Sequence, residues 1–479
     1  QASGASHSNQ NQLPFQQITI TGPCCALAGG IASLEALVAT SVTGCDLVNE
    51  VPSTRWDVDH SPPGYGAEVG RARHGGFMQG AELFDNARFN VSPAEAGAMD
   101  PQQRLLLEHG YAALHASGFE RASLMGSGAG VAVGIYNTEF SQVLAAGPLQ
   151  RSVYTATSSS LSIASGRLSF VLGLQGPCAA FETACSASLV GCHSALRALQ
   201  HGECEQHLAA GVNAMLMQAT TFSIAAAGMS SITGRSHTFD SRADGFARGE
   251  GCTVAVLVTP GERGPASVPH RGAGLVLRGS CVRQDGKSAS LTAPNGKAQQ
   301  ALLEAALVDA GSTCDDLSCV EAHGTGTSLG DPIEVGSLAA TLLAGHGSIT
   351  AVGSIKANAG HAEAAAGAAG LLRLGLKLVT DQASPNAQLR VLNPHVASAI
   401  ESVRVLHQTQ LATTWEGGNA TRLGGVSSFG YSGTIVHALL QDDGDGGQAP
   451  VDSVPVRFNR RRFPWPRPAI VAAADEAEL

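Results

Sequence analysis

Strand-like and helix-like runs alternate along most of this chain, and that alternation limits the fold most: it calls for a largely parallel sheet covered by helices. Residues 18–21 read as a strand, Gly29 and Gly30 as a turn, and 31–38 as a helix. Pro52, Pro62, Pro63, Gly64, Gly66, Gly75 and Gly76 then break any long element, while Trp56, Tyr65, Phe77, Phe84 and Phe89 anchor the excursion. A helix opens at Pro101 behind Asp100 as N-cap. Strands at 131–135, 208–212 and 253–258 and a helix at 160–170 complete the first part. The Gly/Pro-rich run 260–269 is a seam. Beyond it the outline repeats: strand 274–278, helix 297–310, strand 318–322, a helix from Pro332, strand 350–354, and a helix after His361. Residues 16–262 and 263–440 are therefore predicted as two α/β halves, a duplication resting on element order alone. Residues 1–15 form a polar, disordered lead with no signal-peptide pattern. Residues 441–479 hold an acidic, Gly-rich linker and a basic aromatic tail.

A formal net charge of -10 argues against nucleic acid or an anionic membrane surface as main partner. The longest apolar stretch, 364–376, is interrupted and too short to span a bilayer. Eleven cysteines without a C-x-x-C pair suit neither a disulfide framework nor a zinc ribbon. Cys185, Cys192, His193, Cys204 and His207 would point in several directions from a helix, so no metal is expected. The want of a spanning run predicts a soluble protein and reduced thiols an intracellular one, the compartment staying open.

Within Gly176 to Val190, the small residues Cys185, Ser186, Ala187 and Ser188 lead into the apolar-periodic Leu189, Val190, Cys192, His193, Leu196 and Leu199. That places Cys185 at a helix N-terminus, where unpaired N–H groups and the helix dipole favour a thiolate. A lone cysteine before a helix is more often a small buried hydrophobe. Two histidine motifs reverse those odds. Glu321-Ala322-His323-Gly324-Thr325-Gly326-Thr327 sets His323 at a strand end, in a loop of glycines and hydroxyls suited to an extended polar ligand. Ser354-Ile355-Lys356-Ala357-Asn358-Ala359-Gly360-His361-Ala362-Glu363 places Lys356 and His361 at a second strand–loop–helix junction. The charges of the loop 239–251 are expected to form structural ion pairs.

With these motifs in this order, the chain resembles the β-ketoacyl synthase, or ketosynthase, domains of type I polyketide and fatty acid synthases. Met99 to Glu108, 239–251 and Gly330-Asp331-Pro332-Ile333-Glu334 also match, so the resemblance spans roughly residues 16–440. Four residues depart from the family pattern: Glu182 for Asp, Ala187 for Ser, Ala362 for Thr, and Ile435 for an Asn of the gating loop 428–434. The resemblance implies a thiolase-like α/β fold, five-layered αβαβα, built from two similar halves and paired as a homodimer through residues 179–183. It implies Cys185 as nucleophile, with His323 and His361 aiding decarboxylation and Lys356 organising them. The backbone N–H groups of Cys185 and Tyr431 would form an oxyanion hole, with Thr325, Thr327 and Phe429 at the substrate's pantetheine arm. No cofactor is expected beyond the 4'-phosphopantetheine of an acyl carrier protein that carries the substrates. Residues 458–465 resemble the linker that wraps back over a ketosynthase after an acyltransferase, yet no room for that domain precedes them, so a separate acyltransferase is expected. The alternatives are a fatty acid-type ketosynthase and a non-elongating gatekeeper, which typically lacks the cysteine or a histidine. A thiolase is disfavoured, because its second catalytic cysteine near the C-terminus is missing and His437 stands in that region.

Overall fold

The computed structural model describes residues 17–59, 68–136, 139–146, 152–259, 274–343, 350–413, 422–443 and 455–465. The lead 1–15, Pro62 to Gly66, the seam 260–269 and residues 444–448 of the acidic linker fall outside them.

Five strands build the first half: β1 (Ile18–Leu27), β2 (Gly130–Gly134), β3 (Cys178–Phe181), β4 (Gln206–Asn213) and β5 (Gly251–Val258). They lie in the order β1-β5-β4-β2-β3, the first two pairings antiparallel and the last two parallel. The second half repeats this with β6 (Leu275–Gln284), β7 (Leu317–Glu321), β8 (Thr350–Gly353), β9 (Arg422–Phe429) and β10 (Thr434–Asp442). Its order is β6-β10-β9-β7-β8, again antiparallel twice and then parallel twice. Strand β1 touches β6 through Ile18↔Leu277 and Thr19↔Val276, so the two five-stranded sheets meet edge to edge. The short strand Val405–Leu406 adds to β8.

Helices α1 (Pro101–Ala116) and α2 (Leu161–Leu172) cover the outer face of the first sheet. Helices α3 (Ala187–Gln200), α4 (Gly296–Ala310), α5 (Gly330–Thr341) and α6 (Ala366–Thr380) follow. Of these, α3 and α6 lie between the sheets and α4 and α5 outside the second. The five αβαβα layers implied by the resemblance are therefore present. The period-two rule sorts the strand residues into these layers. Val254 and Val256 face Leu106, Leu107 and Leu168, whereas Ala255 and Leu257 face the central layer with Leu189, Leu196, Leu371 and Leu374. A sheet buried on both faces reads as short unbroken apolar runs, which is why the order of strands is legible in both halves.

Several boundaries differ from expectation, most of all those of β6, which runs on to Gln284 instead of ending at 278, of β1 and of the helix after it. Strand β1 continues past Thr21 to Leu27, because a register shift between Thr21 and Cys24 accommodates Gly22 and Pro23 as a bulge. The following helix spans Leu34–Thr43 rather than 31–38, since Ser33 accepts the Ala36 N–H and sets its start. The aromatic tail lies on the first half: Arg461 and Arg462 pair with Phe84 and Leu83, and Phe463 is buried beside Phe84. Arg104 donates to the Phe463 carbonyl at 2.9 Å, and Arg460 pairs with Glu108 at 2.7 Å.

Candidate active site

Strand β3 delivers the chain to Ala184, held at φ 53°, and a single 3-10 turn, Ala184–Ser186, then runs into α3. Two glycines let that helix end sit against the sheet. A Cβ on Gly134 would lie 2.2 Å from Ser188 N, and one on Gly211 2.5 Å from Ser188 Cβ. Ser186 Oγ donates to the Thr183 carbonyl, and Ser428 Oγ to the Cys185 carbonyl, both at 2.8 Å. The thiol of Cys185 is buried. Burial, then the charge of Glu363, push it up to about 12, against the pull of Lys356 and of the Tyr431 and Cys185 N–H groups. This corrects the thiolate expected from a helix N-terminus: desolvation at the bottom of the cavity outweighs the local dipole.

His323 follows β7, and its loop is braced from α5. Glu334 accepts the N–H groups of His323 and Gly324 at 2.6 and 2.8 Å, and Asp331 accepts those of Gly326 and Phe239 at 3.0 and 2.8 Å. His361 is pinned between neighbouring strands of loop, donating its N–H to the Ala247 carbonyl and accepting from Gly249, both at 2.7 Å. The Phe429 N–H donates to His323 Nδ1 at 3.2 Å, and the Glu363 N–H to His361 Nδ1 at 3.1 Å. Each ring therefore carries its proton on Nε2. Among the described residues, the buried Nε2 of His361 has no partner. The ring centroids stand 5.6 Å apart at 86°. Burial and Lys356 hold both imidazoles well below the usual histidine range, with His361 adding to this at His323 and Arg248 at His361. Both are neutral.

A cavity of about 490 Å³ is lined by Cys185, His323, Thr325, Thr327, His361, Phe429 and Tyr431. Of the residues singled out from the sequence, Lys356 does not line it. Its ammonium is buried behind the histidine loops; burial lowers its affinity for a proton, opposed by the charges of Glu321, Glu334, Cys185 and Asp331. Thr325 and Thr327 hydroxyls lie 3.3 Å apart, and the Phe429 ring stands 5.3 Å from that of His323. Ile435 is buried opposite Phe429. The loop before it is held by Gly430 N–H to the Thr434 carbonyl and Gly433 N–H to the Gly430 carbonyl, each at 2.8 Å, and by Gln284 Nε2, which donates to the Ser432 carbonyl at 3.3 Å. His437 lies away from the cavity, bonded to Ser427 at 2.9 Å. Likewise, His193 is spent on Ser280, and among the described residues no cluster could hold a metal ion.

Three contributions were not legible beforehand. Arg248 forms a two-pronged ion pair with Glu363 and lies 3.6 Å from Glu139, fixing the turn after His361. That agrees with ion pairs expected in the loop 239–251, as does Arg55 on Glu250 at 2.9 Å. Asp331 and Glu334 brace the His323 loop, a role their motif match alone does not reveal. Tyr136, at the end of β2, lines the cavity and meets the Tyr431 hydroxyl at 3.1 Å. It lies in no motif and carries no sequence signal.

Comparison with known proteins gives the same picture. The profile of the beta-ketoacyl synthase N-terminal domain matches residues 16–261 and that of the C-terminal domain residues 275–390. Erythronolide synthase EryA2 of Saccharopolyspora erythraea is 38% identical over 94% of this chain, and a phenolphthiocerol/phthiocerol polyketide synthase of Mycobacterium tuberculosis 40% over 89%. The chain spans only 12% and 27% of those proteins. The ketosynthase from module 6 of the bacillaene synthase of Bacillus subtilis superposes with a TM-score of 0.78 at 32% identity, covering 89% of this chain and 72% of that one. An oxazolomycin ketosynthase domain of Streptomyces albus gives 0.80 at 30%, covering 89% and 74%. With a cysteine and two Nε2-protonated histidines facing one cavity in this duplicated fold, the chain belongs to the β-ketoacyl synthase family.

Proposed function

We propose that the chain elongates polyketides by decarboxylative Claisen condensation, joining an acyl group on Cys185 to a malonyl-type unit carried by an acyl carrier protein. One observation carries this: Cys185 shares its cavity with two neutral histidines, both holding a proton on Nε2. In the first half-reaction, the Cys185 sulfur attacks the acyl thioester, and the thiol proton ends on the departing pantetheine sulfur. The N–H groups of Cys185 and Tyr431 hold the tetrahedral oxyanion; losing one such donor typically costs about 3 kcal/mol. In the second, the malonyl C–C bond breaks, carbon dioxide leaves, and the electron pair stays as an enolate. Nε2–H of His323 and His361 donate to its oxygen. The enolate carbon attacks the Cys185 thioester, and collapse expels the Cys185 sulfur, which regains a proton. Lys356 acts as a positioning charge that keeps both histidines neutral. Thr325 and Thr327 bond the pantetheine arm, and Phe429 closes the cavity beside His323.

Two partners follow from the same proposal. A second copy of the chain pairs along β3, the edge strand of its sheet, where Cys178 and Ala179 are exposed and Phe170 of the flanking α2 is 85% exposed. An acyltransferase outside residues 16–465 loads the extender unit, because the few residues 444–454 between β10 and the docked tail cannot hold one. Among the described residues no helix is long and apolar enough to cross a membrane. The test is to mix the protein with acyl-carrier and malonyl-carrier thioesters and seek the β-ketoacyl-carrier by mass spectrometry. Product supports elongation; an acyl-enzyme that never yields product would make the chain a gatekeeper.

A further inference from the structure

The chain has four lysines. Lys356 and Lys377 are buried in the ion network behind the histidines, whereas Lys287 and Lys297 are exposed and flank one loop. That loop leads from β6 to α4 and forms part of the cavity mouth through Thr292 and Pro294. Its base is tied twice: Asp285 N–H donates to the Gly433 carbonyl at 2.8 Å, and Asn295 Nδ2 to the Asp285 carbonyl at 2.7 Å. Its tip, Leu291, is 85% exposed, and Leu329 across the mouth is 55% exposed.

Three features of the loop are unexplained by folding. Exposed Arg283, Lys287 and Lys297 face solvent without a carboxylate partner among the described residues, and the one acid between them in sequence, Asp285, is buried. Lys297 stands in the first turn of α4, where the helix dipole disfavours a cation, and no acid offsets it there. Leu291 contributes apolar surface to water, next in the chain to Thr292 of the cavity lining. In a chain of net charge -10, such a patch concentrates positive charge beside the part of the cavity that Thr292, Pro294 and Leu329 line.

We propose that this loop is the docking surface for the carrier protein, with Lys287 and Lys297 against an acidic face and Leu291 against an apolar patch beside its phosphopantetheine serine. The proposal rests on the condensing function above and adds where the carrier sits. Charges at the rim of an interface act mainly on association rate and salt dependence.

The experiment compares two hexanoyl donors, a small acidic acyl carrier protein and free pantetheine, each transferring its group to Cys185 as read by intact-protein mass. In Lys287→Glu/Lys297→Glu, transfer from the carrier falls about ten-fold or more at low salt, while transfer from free hexanoyl-pantetheine stays unchanged. A carrier with its acidic face reversed to lysine restores the rate. Added salt slows the wild type with the carrier and not the variant. An undiminished carrier rate, an equal loss with both donors, or a wild type that takes hexanoyl from pantetheine but never from the carrier would overturn the docking surface alone. A wild type acylated by neither donor would instead overturn the condensing function on which it rests.

Discussion

Cys185 sits at the end of a helix dipole yet is a neutral thiol, because its layer of the fold removes water from the sulfur more effectively than the dipole compensates. Below a raised pKa the thiolate fraction climbs with pH. Alkylation of Cys185 by iodoacetamide, followed by peptide mass, is therefore expected to accelerate about ten-fold per unit from about pH 7 to about pH 9. A flat profile above about pH 7 would restore the preformed thiolate that the sequence suggested. Arg248 is the other residue on which the corner depends. Replacing it by Met strips a buried guanidinium from Glu363 and Glu139, which costs roughly 3–5 kcal/mol in urea denaturation. A loss within about 0.5 kcal/mol, the range of ordinary surface changes, would mean that the network contributes little to stability.

At the scale of elements, strand β7, its loop and helix α5 act as one unit that aims His323. Glu334→Ala leaves the N–H groups of His323 and Gly324 without their acceptor, a destabilisation of about 2–4 kcal/mol. Release of carbon dioxide is expected to fall more than acylation of Cys185, since the brace holds the histidine and not the thiol. Equal losses in the two half-reactions would contradict this division. Local signals made the strand, loop and helix readable, and the motif residues Cys185, His323 and His361 stood out because each falls at a strand–loop–helix junction. What Asp331 and Glu334 do was illegible, since their partners lie in a preceding loop and in another half of the chain. Tyr136 was illegible for the same reason: its meaning comes from Tyr431, 295 positions away. Pro23 hid the true length of β1, because a bulge and a strand end look alike in sequence.

Across the whole molecule, the two halves repeat one strand order and present the same corner to the shared cavity. Ala184 at φ 53° and Glu363 at φ 46° each open a 3-10 turn before a central helix, one bringing Cys185 and the other following His361. The element order that was visible in sequence thus carries the symmetry, while the meeting of the two corners comes only from the layer between the sheets. The docked tail belongs to this scale too. Ending the chain at Asp443 would uncover Phe84 and Phe89 and forfeit about 2–3 kcal/mol for Phe463 alone, read as a lower melting temperature by calorimetry. An unchanged melting temperature would reduce the tail to a passive strap. Light scattering is expected to find a dimer, and a stable, active monomer at micromolar concentration would contradict pairing along β3. The division of labour between the halves is tested most directly by following carbon dioxide release and intact-protein mass together. Cys185→Ala is expected to form no acyl-enzyme while still releasing some carbon dioxide from a malonyl-carrier. His323→Ala and His361→Ala are expected to be acylated slowly, and none of the three to condense. Unimpaired condensation by Cys185→Ala, or by both histidine variants, would contradict the account.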